Sequence, residues 1–142
     1  MKSGIRPGAR TVRLAVALYA AAAATLLLGQ AVSSPTAESP AAGDAVRGKQ
    51  VFEKRCTGCH ALDRDREGPH LAGAYGRTSG TVNGFDYSDA LKNSHIEWRE
   101  ETLERWLTDP QAMFPGAEMD FFVKDGQERA DVIAFLKQQS GK

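Results

Sequence analysis

The 142-residue chain has only two cysteines and no acidic residue among its first 33. Its one long apolar run, Leu14 to Leu28, stops at 15 residues. Each shortage excludes something. Two cysteines cannot make a disulfide scaffold, so a core or a cofactor must hold the fold. Lys2, Arg6, Arg10 and Arg13 lie in the acid-free leader; beyond it 14 basic residues face 18 acidic ones, a net charge of −4. An acidic remainder argues against nucleic-acid binding, which needs clustered Lys and Arg. No internal repeat is present, and no run alternates long enough to read as a strand.

A basic, Gly-rich start, an apolar run and then small residues (Gly29, Ala31, Ser33) follow the order of a secretory signal peptide. As a helix the run would span about 22 Å, short of the hydrocarbon layer. Residues 1–33 are therefore expected to be a signal peptide, with an uncleaved anchor as the alternative. The absence of an adjacent Arg pair disfavours twin-arginine export. Residues 34–43 are small, polar and Pro-containing, and read as a flexible linker. One domain is expected over 44–142, outside the cytoplasm.

Three helices are predicted there. Asp44 caps the first, which runs to about Lys54 with Ala45, Gly48, Phe52 and Cys56 at helical spacing. The second starts near Glu100, carries Leu103, Trp106 and Leu107 on one stripe, and is stopped by Pro110. The third runs from about Gly126 to Gln139, with Asp125 and Glu128 spaced as a capping box. A short helix fits Ser88 to Lys92. Gly68, Gly73, Gly76, Gly80 and Gly84 mark a long loop region. Long loops in a small domain usually wrap something.

The chemistry lies in Cys56-Thr57-Gly58-Cys59-His60. Two thiols three residues apart can both reach the vinyl groups of one haem, and the next residue offers an imidazole to its iron; this C-x-x-C-H pattern is that of c-type haem attachment. A redox C-x-x-C requires a thioredoxin-like setting, which is missing. A zinc site requires four ligands, and there is no second cysteine pair. Met113, Met119, His70 and His95 are the candidates for a second iron ligand. Met119 ends Pro115-Gly116-Ala117-Glu118-Met119, a turn that could aim its thioether inward.

Residues from about Asp44 to Gln139 resemble a class I cytochrome c of the mitochondrial type and its bacterial relatives. The matching motifs are Gly48 and Phe52 before the attachment motif, Gly68-Pro69-x-Leu71-x-Gly73, Tyr75-Gly76-Arg77, Gly84-Phe85-x-Tyr87-Ser88-Asp89-Ala90, Trp98, Leu103 with Leu107 and Pro110, Pro115-Gly116-x-x-Met119, and Asp131 to Lys137. The resemblance implies an all-α fold, helices and long loops wrapped around one covalent haem c. It implies His60 and Met119 as the axial iron ligands, with Pro69 accepting the Nδ1 proton of His60. It implies Arg77, Tyr87 and Trp98 at or near the haem propionates, and Gly48, Phe52 and Phe135 at a crossing of first and last helices. His70 and His95 are then loop or surface residues.

The implied function is that of a periplasmic one-electron carrier, not an enzyme, a monomer meeting redox protein partners and binding the membrane only through an uncleaved leader. A ligand-binding or peroxidase-like haem protein, or a fixed electron-entry subunit of a larger enzyme, are the other readings. The chain departs from the family in three ways. The loop after His60 is shorter. Glu118 stands where a Lys commonly precedes the Met. Leu91, Trp106 and Ala117 replace an Asn, a Tyr and a Thr that surround a buried water, which implies a dry pocket. Lys49, Lys54, Arg55, Arg64 and Arg66 remain available for a basic rim near the motif.

Overall fold

The computed structural model describes residues 41–141, so the leader and most of the linker lie outside it. Among the described residues five helices follow in order: α1 (Ala45–Arg55), α2 (Asp89–Lys92), α3 (Glu100–Thr108), α4 (Pro110–Met113) and α5 (Gly126–Ser140). Among the described residues no helix is long and apolar enough to cross a membrane, and the extended pairing is limited to one bridge, Thr78 with Glu97. The expected all-α class holds.

The caps explain the starts. Asp44 accepts from the Val46 and Arg47 N–H groups, each at 2.9 Å, and so satisfies donors that α1 would leave open. Asp125 does the same for Gln127 and Glu128 at the start of α5. The second half of the expected capping box is replaced: the Glu128 carboxylate lies 2.7 Å from Arg55 at the far end of α1. For α3 the first turn is closed by Thr102, whose hydroxyl accepts from the Arg99 N–H at 2.7 Å. Pro110 ends α3 as expected, and it also opens α4, with Asp109 accepting from Ala112 N–H.

The core forms where α1 crosses α5. Gly48, Val51 and Phe52 are the buried residues of α1. A Cβ on Gly48 would fall on the Asp131 carbonyl, so only glycine lets the two backbones meet. One turn on, Phe52 and Phe135 pack with ring centroids 5.4 Å apart. Leu103, Trp106 and Leu107 of α3 close the same core, as their spacing predicts. α5 buries Asp131, Val132 and Ile133 in succession, so it is covered on more than one stripe.

Asp131 is the polar member of that run. Its side chain is 4% exposed, and Oδ2 lies 2.7 Å from Arg47 Nε. Its Oδ1 accepts from Arg47 Nη2 at 2.9 Å, the Asp44 N–H at 2.8 Å and Gln127 Nε2 at 3.0 Å. These donors, Arg47 first, hold the carboxyl at about 2, below its ordinary 3.8. The sign follows from linkage. The unfolded chain takes the proton first, so the stabilisation is complete above the ordinary value and is lost as pH falls through about 2.

Asp131→Asn is expected to cost about 2 kcal/mol at neutral pH, since it removes charge-assisted bonds at a buried site while Arg47 keeps access to water. Thermal unfolding followed by circular dichroism should show the parent losing its advantage as pH falls toward 2. An advantage that persisted there would contradict the assignment.

Candidate cofactor site

The attachment motif continues the end of α1. Cys56 is its C-cap and donates to the Phe52 carbonyl at 2.8 Å. Cys59 and His60 N–H both return to the Cys56 carbonyl, at 3.2 and 2.9 Å. One tight turn therefore carries both thiols and the imidazole. No disulfide joins the two cysteines; Cys56 is half-buried and Cys59 exposed. Burial pushes the Cys56 thiol up to about 11. Cys59 is raised chiefly by its hydrogen bond to Glu67, at 3.3 Å.

His60 is oriented by the chain. Its Nδ1 lies 2.8 Å from the Pro69 carbonyl oxygen. A carbonyl only accepts, so Nδ1 carries the proton and Nε2 keeps a free lone pair. Burial lowers the imidazole pKa, against the opposing pull of the Pro69 bond, which favours the neutral ring a metal needs. Gly68 N–H donates to the Cys59 carbonyl at 2.9 Å. A Cβ at Gly68 would overlap the His60 ring, so this glycine makes room for the imidazole. Its spacing in sequence marks it only as a loop residue.

Met119 lies at the end of a turn held by several bonds. Ala117 N–H donates to the Phe114 carbonyl at 3.0 Å, and Gly116 has φ +87°. Pro115 and Gly116 thus fill the two central places of a type II turn. Gln111 then reaches across from α4. Its amide donates to the Ala117 and Met119 carbonyls, at 2.7 and 3.1 Å, and accepts from Gly116 N–H at 3.2 Å. The sequence gives no local sign of Gln111, because its partners lie in the following loop. Met113 ends α4, and both methionines pack half-buried on the core.

The remaining expected residues fall on linked segments. Trp98 is buried and its N–H donates to the Arg77 carbonyl at 2.9 Å. The Arg77 guanidinium donates to the carbonyls of His70 and Ala72, at 2.9 and 3.4 Å. Tyr87 sits edge-on to Phe85, centroids 4.7 Å apart. Half-buried Arg77 and Tyr87 are close enough to act on each other electrostatically. Neither expected loop histidine joins the iron candidates by its contacts: His70 pairs with Asp65 at 2.8 Å, and His95 is exposed. Leu91, Trp106 and Ala117 are all buried in one apolar cluster, and the Trp106 ring lies 5.5 Å from Trp98 and 5.9 Å from Phe114.

These residues fit a covalent haem. Two cysteine side chains share a turn with an imidazole whose Nδ1 is held by the Pro69 carbonyl, leaving Nε2 for a metal. Leu71, Tyr87, Phe114 and Met119 pack on the core while keeping open surface, as the lining of a flat apolar group would. The model of the Cytochrome c family matches residues 45–140.

The chain belongs to the cytochrome c family.

It is 46% identical over 104 residues to cytochrome c 2.1 of Caenorhabditis elegans, covering 71% of this chain and 94% of that one. To cytochrome c2 of Blastochloris viridis it is 45% identical over 117 residues, 80% of this chain and 91% of that one. Among solved structures, cytochrome cH from Methylobacterium extorquens superposes with a TM-score of 0.64 at 37% identity, over 68% of this chain and 99% of that one. As a cytochrome c it binds haem c covalently, with its iron, and serves as a haem-based electron carrier.

Gly68→Ala should displace the His60 ring while leaving both thioether bonds in place. The expected result is normal haem attachment, a perturbed Soret spectrum, and stability lowered by about 1–3 kcal/mol from overpacking. An unchanged spectrum would show that the ring does not depend on this close approach.

Proposed function

We propose that this cytochrome c is a periplasmic one-electron carrier in which Cys56 and Cys59 hold the haem and His60 and Met119 bind its iron. The observation that carries this reading is the bond from His60 Nδ1 to the Pro69 carbonyl, 2.8 Å long, which leaves Nε2 to the metal. The turn stapled by Gln111 supports Met119 over Met113 as the second ligand. When bound, the haem supplies a reversible exchange between ferric and ferrous iron. The chain's residues set its terms.

His60 is held neutral and oriented by Pro69. Met119 brings a soft thioether, which favours the less charged ferrous state. Arg77 uses two carbonyls as partners and has further donors for a propionate, with Tyr87 beside it. With His60 and Met119 both bound to it, the iron would keep no open position for a substrate. That favours a carrier over a ligand-binding or peroxidase-like protein. Periplasmic location rests on the leader of residues 1–33, followed by the 34–43 linker and the 44–142 domain.

Haem should stay with the protein through acid-acetone extraction, and free extraction would refute the attachment. The Met–iron charge-transfer band should vanish in Met119→Ala and survive in Met113→Leu; the reverse would overturn the ligand. The reduced parent should not add carbon monoxide at neutral pH.

The apolar filling by Leu91, Trp106 and Ala117 generates another expectation. A site without polar partners holds no ordered water and disfavours the ferric charge. Leu91→Asn/Trp106→Tyr/Ala117→Thr should therefore lower the reduction potential. An unchanged or higher potential, measured by protein-film voltammetry, would sink this account.

A further inference from the structure

The peptide group that orients His60 is itself gripped from its other end. Its carbonyl is that of Pro69, which accepts the His60 Nδ1 proton at 2.8 Å. Its N–H is that of His70, which donates to Asp65 Oδ1, also at 2.8 Å. A carboxylate, a peptide and an imidazole therefore stand in one hydrogen-bonded line. The His70 ring adds a second bond to the same oxygen, Nδ1 to Oδ1 at 2.8 Å. An ionised carboxylate only accepts, so the ring donates as well.

The loop that supplies Asp65 carries alternating charges, Asp63-Arg64-Asp65-Arg66-Glu67. Its other members are engaged elsewhere. Asp63 pairs with Arg64 at 3.4 Å, Arg66 donates to the Thr57 carbonyl at 2.5 Å, and Glu67 lies 3.3 Å from Cys59 Sγ. The main chain sets the reach of Asp65: Arg66 N–H donates to the Gly68 carbonyl and Leu71 N–H to the Ala61 carbonyl, both at 2.9 Å. The bonds from His70, its backbone N–H first, hold the Asp65 carboxyl below its ordinary range, so it is charged at neutral pH. The other charged or titratable groups that act on it are Arg77, whose guanidinium donates to the His70 carbonyl at 2.9 Å, and Tyr87 beyond. Arg77 offsets part of the field of Asp65. It cannot replace Asp65 in the line, because a guanidinium accepts no hydrogen bond.

We propose that Asp65 is a positioning residue of the haem site, acting through the Pro69–His70 peptide to make His60 a more electron-rich iron ligand and so lower the reduction potential. The proposal rests on the reading of His60 as an iron ligand and adds the group that tunes it. A peptide whose N–H meets a full negative charge is polarised, and its oxygen becomes a stronger acceptor. The stronger bond draws the Nδ1 proton toward Pro69 and raises the basicity of the ring. A more basic imidazole favours the more charged ferric iron. Asp65 thus opposes the pull of the Met119 thioether toward the ferrous state.

The test uses the holoprotein. Asp65→Asn keeps an acceptor oxygen for the His70 N–H and removes the charge. Poised against a redox mediator at fixed potential, it should show a ferrous-to-ferric ratio raised at least about threefold over the parent. Asp65→Ser, a second neutral acceptor, should shift the ratio in the same direction. Asp63→Asn, the same change of charge in the same loop, should do clearly less. The Asp65 side chain is 36% exposed, so a field acting through water would fade in molar salt; the Asp65→Asn shift should persist there. In the reduced protein, proton NMR should place the His60 Nδ1 proton of Asp65→Asn upfield of its position in the parent, the sign of a weaker hydrogen bond.

A ratio unchanged or lowered in either neutral variant would overturn the proposal and leave Asp65 a simple loop clasp. So would an effect matched by Asp63→Asn, a shift that vanishes in high salt, or an unmoved Nδ1 proton. In the parent, His60 ring protons carried far upfield by the haem ring current report the imidazole on the iron. Their absence would strike the ligand reading itself, and the proposal with it.

Discussion

The contact between Gly48 and the Asp131 carbonyl governs the rest of the molecule. Helices joined only through side chains pack with axes about 8–10 Å apart. Here the missing Cβ lets backbone meet backbone. That approach sets Phe52 against Phe135 and draws Arg47 and Asp44 onto the buried Asp131 carboxylate. It also fixes the far end of α1, where Arg55 meets Glu128 at 2.7 Å. Cys56 caps that end. The position of the first thiol is thus a consequence of how two helices from opposite ends of the domain touch.

Between those helices the chain has little regular structure, yet it is not slack. Leu71 and Ala72 N–H groups donate to the Ala61 and Leu62 carbonyls, at 2.9 and 3.0 Å. These bonds lock the stretch after the attachment motif to the stretch after Pro69. Ser79, 1% exposed, bonds to Ser94 at 2.6 Å and accepts from the Ile96 N–H at 3.1 Å. A buried hydroxyl with two partners costs little, and it pins the loop that carries Arg77 to the one that carries Trp98. Backbone hydrogen bonds replace helix and sheet here because the loop must follow the outline of a cofactor.

What the sequence made legible was local or covalent. Asp44 and Asp125 announce caps because a cap acts within three residues. The C-x-x-C-H motif is legible because its chemistry needs a fixed spacing. The misses share a cause too. Asp131 reads as an ordinary helix acid until Arg47 is found 84 residues away. Glu128 has capping-box spacing, but a cross-helix ion pair competes better for its carboxylate. Gly68 looks like a turn residue, although its main demand is room for the His60 ring. The Thr78–Glu97 bridge joins segments without alternation, so no pattern in either segment exposes it. Local rules see neighbours in the chain; these contacts are between neighbours in space.

The two proposed iron ligands are held by different means, and the difference has consequences. His60 is fixed through its own ring, by the Pro69 carbonyl at 2.8 Å and by the Gly68 backbone against its face. The Met119 segment is fixed through its main chain, since Gln111 grips carbonyls and leaves the thioether to pack as it will. Gln111 is itself exposed, so each of its bonds is worth about 1 kcal/mol. The imidazole therefore has a preset position, while the thioether keeps the freedom of an unbranched side chain. For one-electron traffic this suffices, because a preorganised site need not rebuild itself when the charge on the iron changes. Any strain on the site should release the methionine before the histidine.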